Sequence, residues 1–291
     1  PLCLGKLGSA WCLASETCAF DLLGAKYLRE VEPGEIVIID DSGLRSLKPK
    51  ELQLKSRFAF CSFEHIYFSR PDSIVFGQTV HSVRRKLGEQ LAIEHPVDAD
   101  FVVPVPDSGF SAALGFAKES GIPLELGIIR NHYVGRTFIQ PAQDSRDMGV
   151  RVKFNLLKQI LANKRVVIVD DSIVRGTTSM IRVRNLRKAG VKEVHLRISC
   201  PPHRFPCFYG IDFHQTSELI ANKYSSLDAI RKYLGVDSLG YLSLEGMLSC
   251  FGPQKHNYCT SCWQGKYPLK VEKKQGKFSL EAHCCGQGGR P

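Results

Sequence analysis

No stretch of this 291-residue chain reaches the roughly 20 uninterrupted apolar residues that a membrane-spanning helix needs, so no such span is expected. The opening Pro1-Leu-Cys-Leu-Gly5 has neither a Met nor a basic region leading into an apolar stretch. It therefore reads as a cut end rather than a secretory signal. Internal repeats and low-complexity tracts are missing as well. Cysteine is absent from residue 62 to residue 199, although the chain holds 11 in all. So uneven a placement argues against a general disulfide framework and for a local metal site in a reducing, cytoplasmic setting.

What is present is ordinary for a soluble globular protein, at 43% hydrophobic and 23% charged residues. The length suits one large domain with appendages. A formal charge of +10 admits nucleic acid or membrane as partners and equally suits a phosphate-rich small substrate. The basic residues are scattered among acids rather than gathered in a run, so we expect no direct nucleic-acid contact.

Strand and helix patterns alternate through the middle of the chain. The spacing predicts helices over 78–94, 110–119, 179–189, 227–234 and 244–249, and strands over 35–40, 58–68, 100–105, 124–129, 166–170 and 193–199. A mixed apolar stretch following Ala14 and running through Leu28 reads as a further helix. Such alternation predicts an α/β fold whose parallel sheet is covered on both faces.

The most informative stretch is Val169-Asp-Asp-Ser-Ile-Val-Arg-Gly-Thr-Thr-Ser179. A Val/Ile-rich strand ends in two acids, and a helix follows. Gly176 permits a tight turn, Thr177 and Thr178 bring hydroxyls, and the new helix presents unpaired N–H groups to an anion. Asp170 and Asp171 would repel a bare phosphate, so they are expected to face a ribose or a divalent cation. The bland reading is an N-cap with two solvated acids. Pro106-Asp-Ser-Gly109 follows another strand and offers a second anion loop, or again an N-cap. The long segment from Arg130 to Arg146 has no clean period; Arg130, Tyr133, Arg136, Thr137 and Arg146 suit a lid over a polyanion, the alternative being a solvated connector.

Cys259-Thr-Ser-Cys262 is a Cys-x-x-Cys pair. Alone it fits half a zinc site, half an iron–sulfur site, a redox pair or a disulfide. Its candidate partners are Cys61, Cys200, Cys207, Cys250, Cys284 and Cys285.

The Val169–Ser179 stretch resembles the ribose-phosphate loop of the type I phosphoribosyltransferases and, more narrowly, that of the amidophosphoribosyltransferase family. Pro106 to Gly109 resembles the family's pyrophosphate loop, and Tyr133-Val-Gly-Arg-Thr-Phe-Ile-Gln-Pro141 its flexible catalytic loop, with His132 where many relatives carry a basic residue. Pro1 to Gly5 and Ala14-Ser-Glu-Thr-Cys-Ala19 resemble the closing segment of its N-terminal-nucleophile glutaminase domain. The glutamine-hydrolysing cysteine of that family is the first residue of the mature chain, so Cys3, Cys12 and Cys18 are not given that role.

The resemblance implies a glutaminase remnant over 1–55 and a type I phosphoribosyltransferase fold with its cysteine segment over 56–271; the charged, Gly-rich tail over 272–291 departs from it and reads as disordered or the product of altered splicing. It assigns catalysis to Asp170, Asp171, Tyr133 and Arg136. Substrate binding falls to Asp107, Ser108, Gly109, Thr137, Ser172, Arg175, Gly176, Thr177 and Thr178, and Mg²⁺ to Ser108, Asp170 and Asp171. The surroundings of Cys61, Cys207, Cys259 and Cys262 resemble the four ligand sites of the family's iron–sulfur branch, which implies a structural [4Fe-4S] cluster, with zinc the runner-up. The implied reaction makes phosphoribosylamine from phosphoribosyl pyrophosphate and ammonia, derived in the family from glutamine. Purine nucleotides are implied as feedback inhibitors and a tetrameric homo-oligomer as the assembly. Two other readings stand beside it: a sensor of phosphoribosyl pyrophosphate or nucleotide that has lost catalysis, and an inert fragment.

Overall fold

The computed structural model describes residues 1–50, 58–131, 133, 154–213 and 215–270. The expectations placed on His132, Arg136, Thr137, Arg146, Cys284, Cys285 and the 272–291 tail lie outside the described residues.

The N-terminal region is built of strands β1 (Cys3–Leu7) and β2 (Ala10–Ala14), helix α1 (Cys18–Leu23) and strands β3 (Lys26–Glu30), β4 (Ile36–Asp40) and β5 (Gly43–Leu47). β2, β1 and β3 form an antiparallel sheet, and β4 pairs with β5 as a hairpin. The helix expected to run through Leu28 is confined to α1. Gly24, at φ +68°, ends it, and the chain reverses to lay β3 along β1. Polar side chains dock this region on the rest. Glu16 accepts from the Arg70 N–H (2.7 Å) and the Ser73 hydroxyl (2.8 Å), Thr17 from the Ile74 N–H (2.8 Å), and Glu30 from the Phe76 N–H (2.7 Å).

The strand expected over 58–68 is mostly something else. Only β6 (Phe60–Cys61) is extended, and Glu64–Phe68 winds as a π-helical turn closed by Ser69 N–H to Glu64 O (3.2 Å). Arg84 explains the turn. Its buried guanidinium donates to the carbonyls of His65 (2.7 Å) and Ser69 (2.8 Å), an arrangement that a strand could not offer it. A tight hairpin of β7 (Ile74–Val75) and β8 (Gln78–Thr79) leads into α2 (Val80–Glu94).

α2 buries Val80, Val83, Leu87 and Leu91, one helical stripe. β9 (Phe101–Pro104) and α3 (Phe110–Ser120) follow. α2 and α3 meet at glycines. A Cβ on Gly88 would stand 1.8 Å from Ala112 O, and one on Gly115 would stand 1.9 Å from Arg85 O, so each helix needs the other's missing side chain to approach so closely. The strand expected over 124–129 forms only at its end. Leu124 makes a lone parallel bridge to Val102, the chain turns through Gly127 N–H to Glu125 O (3.0 Å), and β10 (Ile128–Arg130) pairs antiparallel with β11 (Phe154–Leu156).

After the short α4 (Lys158–Leu161) come β12 (Arg165–Asp170), α5 (Thr177–Lys188) and β13 (Glu193–Ile198). α6 (Ile220–Lys223), α7 (Leu227–Leu234), β14 (Ser238–Tyr241), α8 (Leu244–Ser249), β15 (Tyr258–Cys259) and α9 (Ser261–Gln264) complete the order. The main sheet is β14-β13-β12-β9, parallel throughout. Val166 to Asp170 are all buried. Because successive strand side chains point to opposite faces, both faces of the sheet are covered. The fold is α/β, as expected. Its core joins Val102, Val103, Val167, Ile168, Leu196 and Ile198 of the sheet to Leu87, Leu91 and Phe116 of the helices. Each such fully buried side chain contributes roughly 1.5–3 kcal/mol.

Candidate functional site

β9 and β12 are neighbours, with Pro104 opposite Val169, so their outgoing loops meet beyond the carboxyl ends of the strands. Gly109 shows how closely. A Cβ there would lie 2.4 Å from Val169 O, and the Gly109 N–H already donates to Val105 O (2.9 Å). Ser108 is thereby brought close enough to Asp171 to favour its charged form. Asp107 is exposed and ion-pairs with Arg130 from β10.

Asp170 and Asp171 are each 5% exposed. Asp170 Oδ2 accepts from Arg182 Nη1 at 2.7 Å, and its Oδ1 accepts from the Asp171 N–H at 3.0 Å. Asp171 Oδ1 accepts from the Ser172 hydroxyl. Burial raises the Asp171 carboxyl to about 7, and the Asp170 charge adds to the rise; Ser108, Ser172 and Arg84 oppose it. Oxygen donors of this kind suit a hard cation such as Mg²⁺, and Asp171 with Ser108 fit one. Asp170 has both oxygens engaged from within.

Beyond the acids, Gly176 carries φ +83° and starts α5. A Cβ there would also stand 2.3 Å from Ile220 Cδ1, so the turn excludes larger residues twice over. No side chain caps α5, and Thr177 and Thr178 are exposed at its first turn. Arg175 pairs with Glu218 at 2.6 Å. Tyr133 is fully exposed, and its N–H donates to Asn131 Oδ1 at 3.1 Å.

The sequence reading missed Arg182 and Arg84. Both occupy buried helix stripes: Arg182 lies with Ser179, Val183 and Leu186, and Arg84 with Val80, Val83 and Leu87. A basic residue at a stripe position is the signal that was there to find, since Arg is seldom buried unless paired.

The expected cysteines form a second group. Cys61 and Cys259 face each other across the parallel β6–β15 pair, and Cys262 follows one turn later. Burial drives the Cys262 thiol up, and the neighbouring Cys61, Cys259 and Cys207 push it further, which sets all four within electrostatic reach. Burial also pushes Cys61 up to about 12. Every described cysteine is a free thiol. Four unpaired thiols, two from a Cys-x-x-Cys, are a donor set that fits a soft metal centre. Among the described residues, however, no three His, Cys, Asp or Glu side chains yet converge in a ligating arrangement. Burial raises the Cys200 thiol, and charges at both Asp171 and Cys262 would raise it further.

Among the described residues no helix is long and apolar enough to cross a membrane. No family model matches the chain. It is 52% identical to the amidophosphoribosyltransferase of Bacillus subtilis over 275 residues, which cover 93% of this chain and 57% of that protein. Identity to the amidophosphoribosyltransferase of Synechocystis is 51% over 286 residues, 97% of this chain and 57% of that protein. The chloroplastic amidophosphoribosyltransferase of Glycine max is 49% identical over 290 residues, 97% of this chain and 49% of that protein. The chain thus spans about half the length of the curated relatives it matches. Among solved structures, glutamine phosphoribosylpyrophosphate amidotransferase from B. subtilis, complexed with ADP and GMP, superposes with a TM-score of 0.86 at 51% identity. That match covers 95% of this chain and 61% of the other.

Proposed function

We propose that this chain, which belongs to the amidophosphoribosyltransferases over the half of their length that it spans, carries out their phosphoribosyl transfer. The observation that carries the reading is the meeting of Asp170 and Asp171 with Ser108 at the carboxyl ends of adjacent parallel strands, beside the uncapped start of α5. In this reading Arg175, Gly176, Thr177 and Thr178, with Ser172, surround the 5′-phosphate of phosphoribosyl pyrophosphate, where N–H groups and the helix dipole favour an anion. Asp170 and Asp171 line the ribose side. Asp107, Ser108 and Gly109 border the pyrophosphate, with Arg130 held close by Asp107. Tyr133, Arg136 and Thr137 belong to the segment that closes over it.

Ammonia nitrogen attacks the anomeric carbon as the bond from that carbon to the pyrophosphate oxygen breaks. Pyrophosphate leaves with the electron pair, the nitrogen loses a proton, and phosphoribosylamine remains. The transition state carries oxocarbenium character, so the site's work is to hold the ribose and exclude water. Mg²⁺, bound through Ser108, Asp170 and Asp171, would neutralise the leaving group.

Cys61, Cys207, Cys259 and Cys262 would hold a [4Fe-4S] cluster that ties the C-terminal segment to β6. Its free energy of binding would then be folding free energy, and the role structural. The ADP and GMP in the B. subtilis structure support purine nucleotides as inhibitors of this chain, and the relatives support ammonia drawn from glutamine and a homo-oligomer. The test is to incubate the chain with phosphoribosyl pyrophosphate, Mg²⁺ and ammonium and to follow pyrophosphate. Release that requires both ammonium and Mg²⁺ is the expected result. Binding without release would replace this reading by a sensor, and absence of binding would end it.

A further inference from the structure

Residues 216–223 belong to neither of the loops that follow β9 and β12, yet they touch the second of these at three consecutive positions. They run as a 3-10 turn (Thr216–Glu218) into α6. Glu218 pairs with Arg175 at 2.6 Å. The Ile220 N–H donates to Val174 O at 2.8 Å. The Ile220 side chain, 1% exposed, packs where a Cβ on Gly176 would stand 2.3 Å from its Cδ1. No side chain caps the helix that this loop starts, and Gly176 is held at φ +83°. Such a loop binds an anion well only if its N–H groups are already aimed when the anion arrives, since ordering them afterwards would be subtracted from the affinity.

Asn222 holds this segment in place. Its side-chain nitrogen donates to Arg204 O (2.7 Å) and to Thr216 O (3.2 Å), so one amide closes the segment on itself and ties it to a neighbouring stretch. Both partners are carbonyls, which fixes the nitrogen as the end of the amide that faces them. Arg204 returns a bond from Nη1 to Ala221 O (3.2 Å), and its own N–H donates to Cys262 O (3.1 Å). The segment is thus moored on the turn that carries Cys259 and Cys262. We propose that Asn222 is a positioning residue for the 5′-phosphate subsite: it holds Glu218 and Ile220 against residues 174–176 and so keeps the N–H groups of that loop aimed at a phosphate. The proposal rests on the donor-site reading above for the identity of the anion, and adds to it an outer wall that neither loop provides.

Ribose 5-phosphate and inorganic pyrophosphate, each titrated calorimetrically into the full chain with Mg²⁺, probe the two ends of the site separately. Asn222→Ala loses both hydrogen bonds and is expected to bind ribose 5-phosphate about fivefold more weakly, with pyrophosphate within about twofold of the parent. Asn222→Asp keeps the shape but turns an acceptor toward two carbonyls, and should bind ribose 5-phosphate about tenfold more weakly or worse. Ile220→Val removes the methyl group that meets Gly176, leaves the anchor intact and should cost about threefold. In turnover these variants should raise KM for phosphoribosyl pyrophosphate by the same factors and leave kcat within about twofold, as loss of binding shared by ground and transition states requires.

Unchanged ribose 5-phosphate affinity in folded Asn222→Ala would overturn the proposal. So would an equal loss of both ligands, the mark of a fold that is merely loosened. If neither Asn222 variant folds, Ile220→Val decides: weaker ribose 5-phosphate binding beside parental pyrophosphate binding sustains the proposal, and any other result ends it. Failure of the functional reading looks different. The parent itself would then bind ribose 5-phosphate no better than ribose, and the proposal would fall with that reading.

Discussion

At the carboxylate pair each charge meets a partner that the protein itself provides. Arg182 takes Asp170; Ser172, Ser108 and the more distant Arg84 answer Asp171. The four thiols are treated in the opposite way. Burial pushes Cys61 up to about 12 and raises Cys262, and the neighbours of Cys262 with the greatest effect are further thiols that raise it more. A carboxylate cannot be buried bare, so its counter-charges have to be folded in beside it. A thiol can be buried neutral at little cost, and a cluster of them becomes a ligand set only when a metal draws off the protons. The first site therefore carries much of its own counter-charge. The second, in the reading proposed above, would be complete only with a metal.

If that contrast is right, Asp171→Asn should lower kcat/KM for phosphoribosyl transfer by about 100-fold or more, the usual scale for losing one fixed polar group at a reacting centre. Iron bound per chain should not change; parallel loss of iron would mean that the two groups are one unit joined through Cys200. Cys262→Ser should do the reverse. Iron should fall away and the melting temperature drop by about 2–4 °C for each kcal/mol of cluster stabilisation lost, while Mn²⁺ binding at the acids persists.

A subtler difference concerns pH. The Asp171 carboxyl titrates near 7 in the fold against an ordinary 3.8, so between those values the folded chain holds a proton that the unfolded chain has released. Stability of the cation-free protein should therefore fall as pH rises through that window, and thermal melts of Asp171→Asn should lose that fall. The smallest effect expected is a control far from both groups. Glu35 is held down to about 2 by the bidentate Arg29, with help from the Ser46 hydroxyl and the Glu32 N–H. Its contribution is present above the ordinary carboxyl value and lost as pH falls through about 2. Glu35→Gln should cost about 1 kcal/mol or less in denaturant unfolding, because Arg29 is 40% exposed and solvent screens the pair, and should alter neither iron nor turnover.

Much of the architecture was legible because it is local. A Val/Ile run ending in two acids reads as a buried strand that leads into a polar loop. The helical spacing of Val80, Val83, Leu87 and Leu91 could likewise be read without a neighbour. Where the reading went astray, a distant partner had intervened. Arg84, some twenty residues downstream, converts the aromatic run at 64–68 into a π turn by claiming two of its carbonyls. β1 captures residues 26–30 from the helix that their composition suggests. The residues assigned to phosphate, ribose and metal were named from local pattern and resemblance, and of these Arg136 and Thr137 lie outside the described residues.

The sequence alone determined α2, β9, α3, β12, α5 and β13, the two loops that follow β9 and β12, and the Cys259–Cys262 pair, since each depends on residues close together in the chain. Only the tertiary structure decided that Ser108 comes close to Asp171, that Arg182 pairs with Asp170, and that Cys61 lies opposite Cys259 across β6 and β15. Those outcomes depend on which strands lie side by side and which helix face turns inward. The cooperative burial of the whole core settles such pairings, and no short stretch of sequence carries that information by itself.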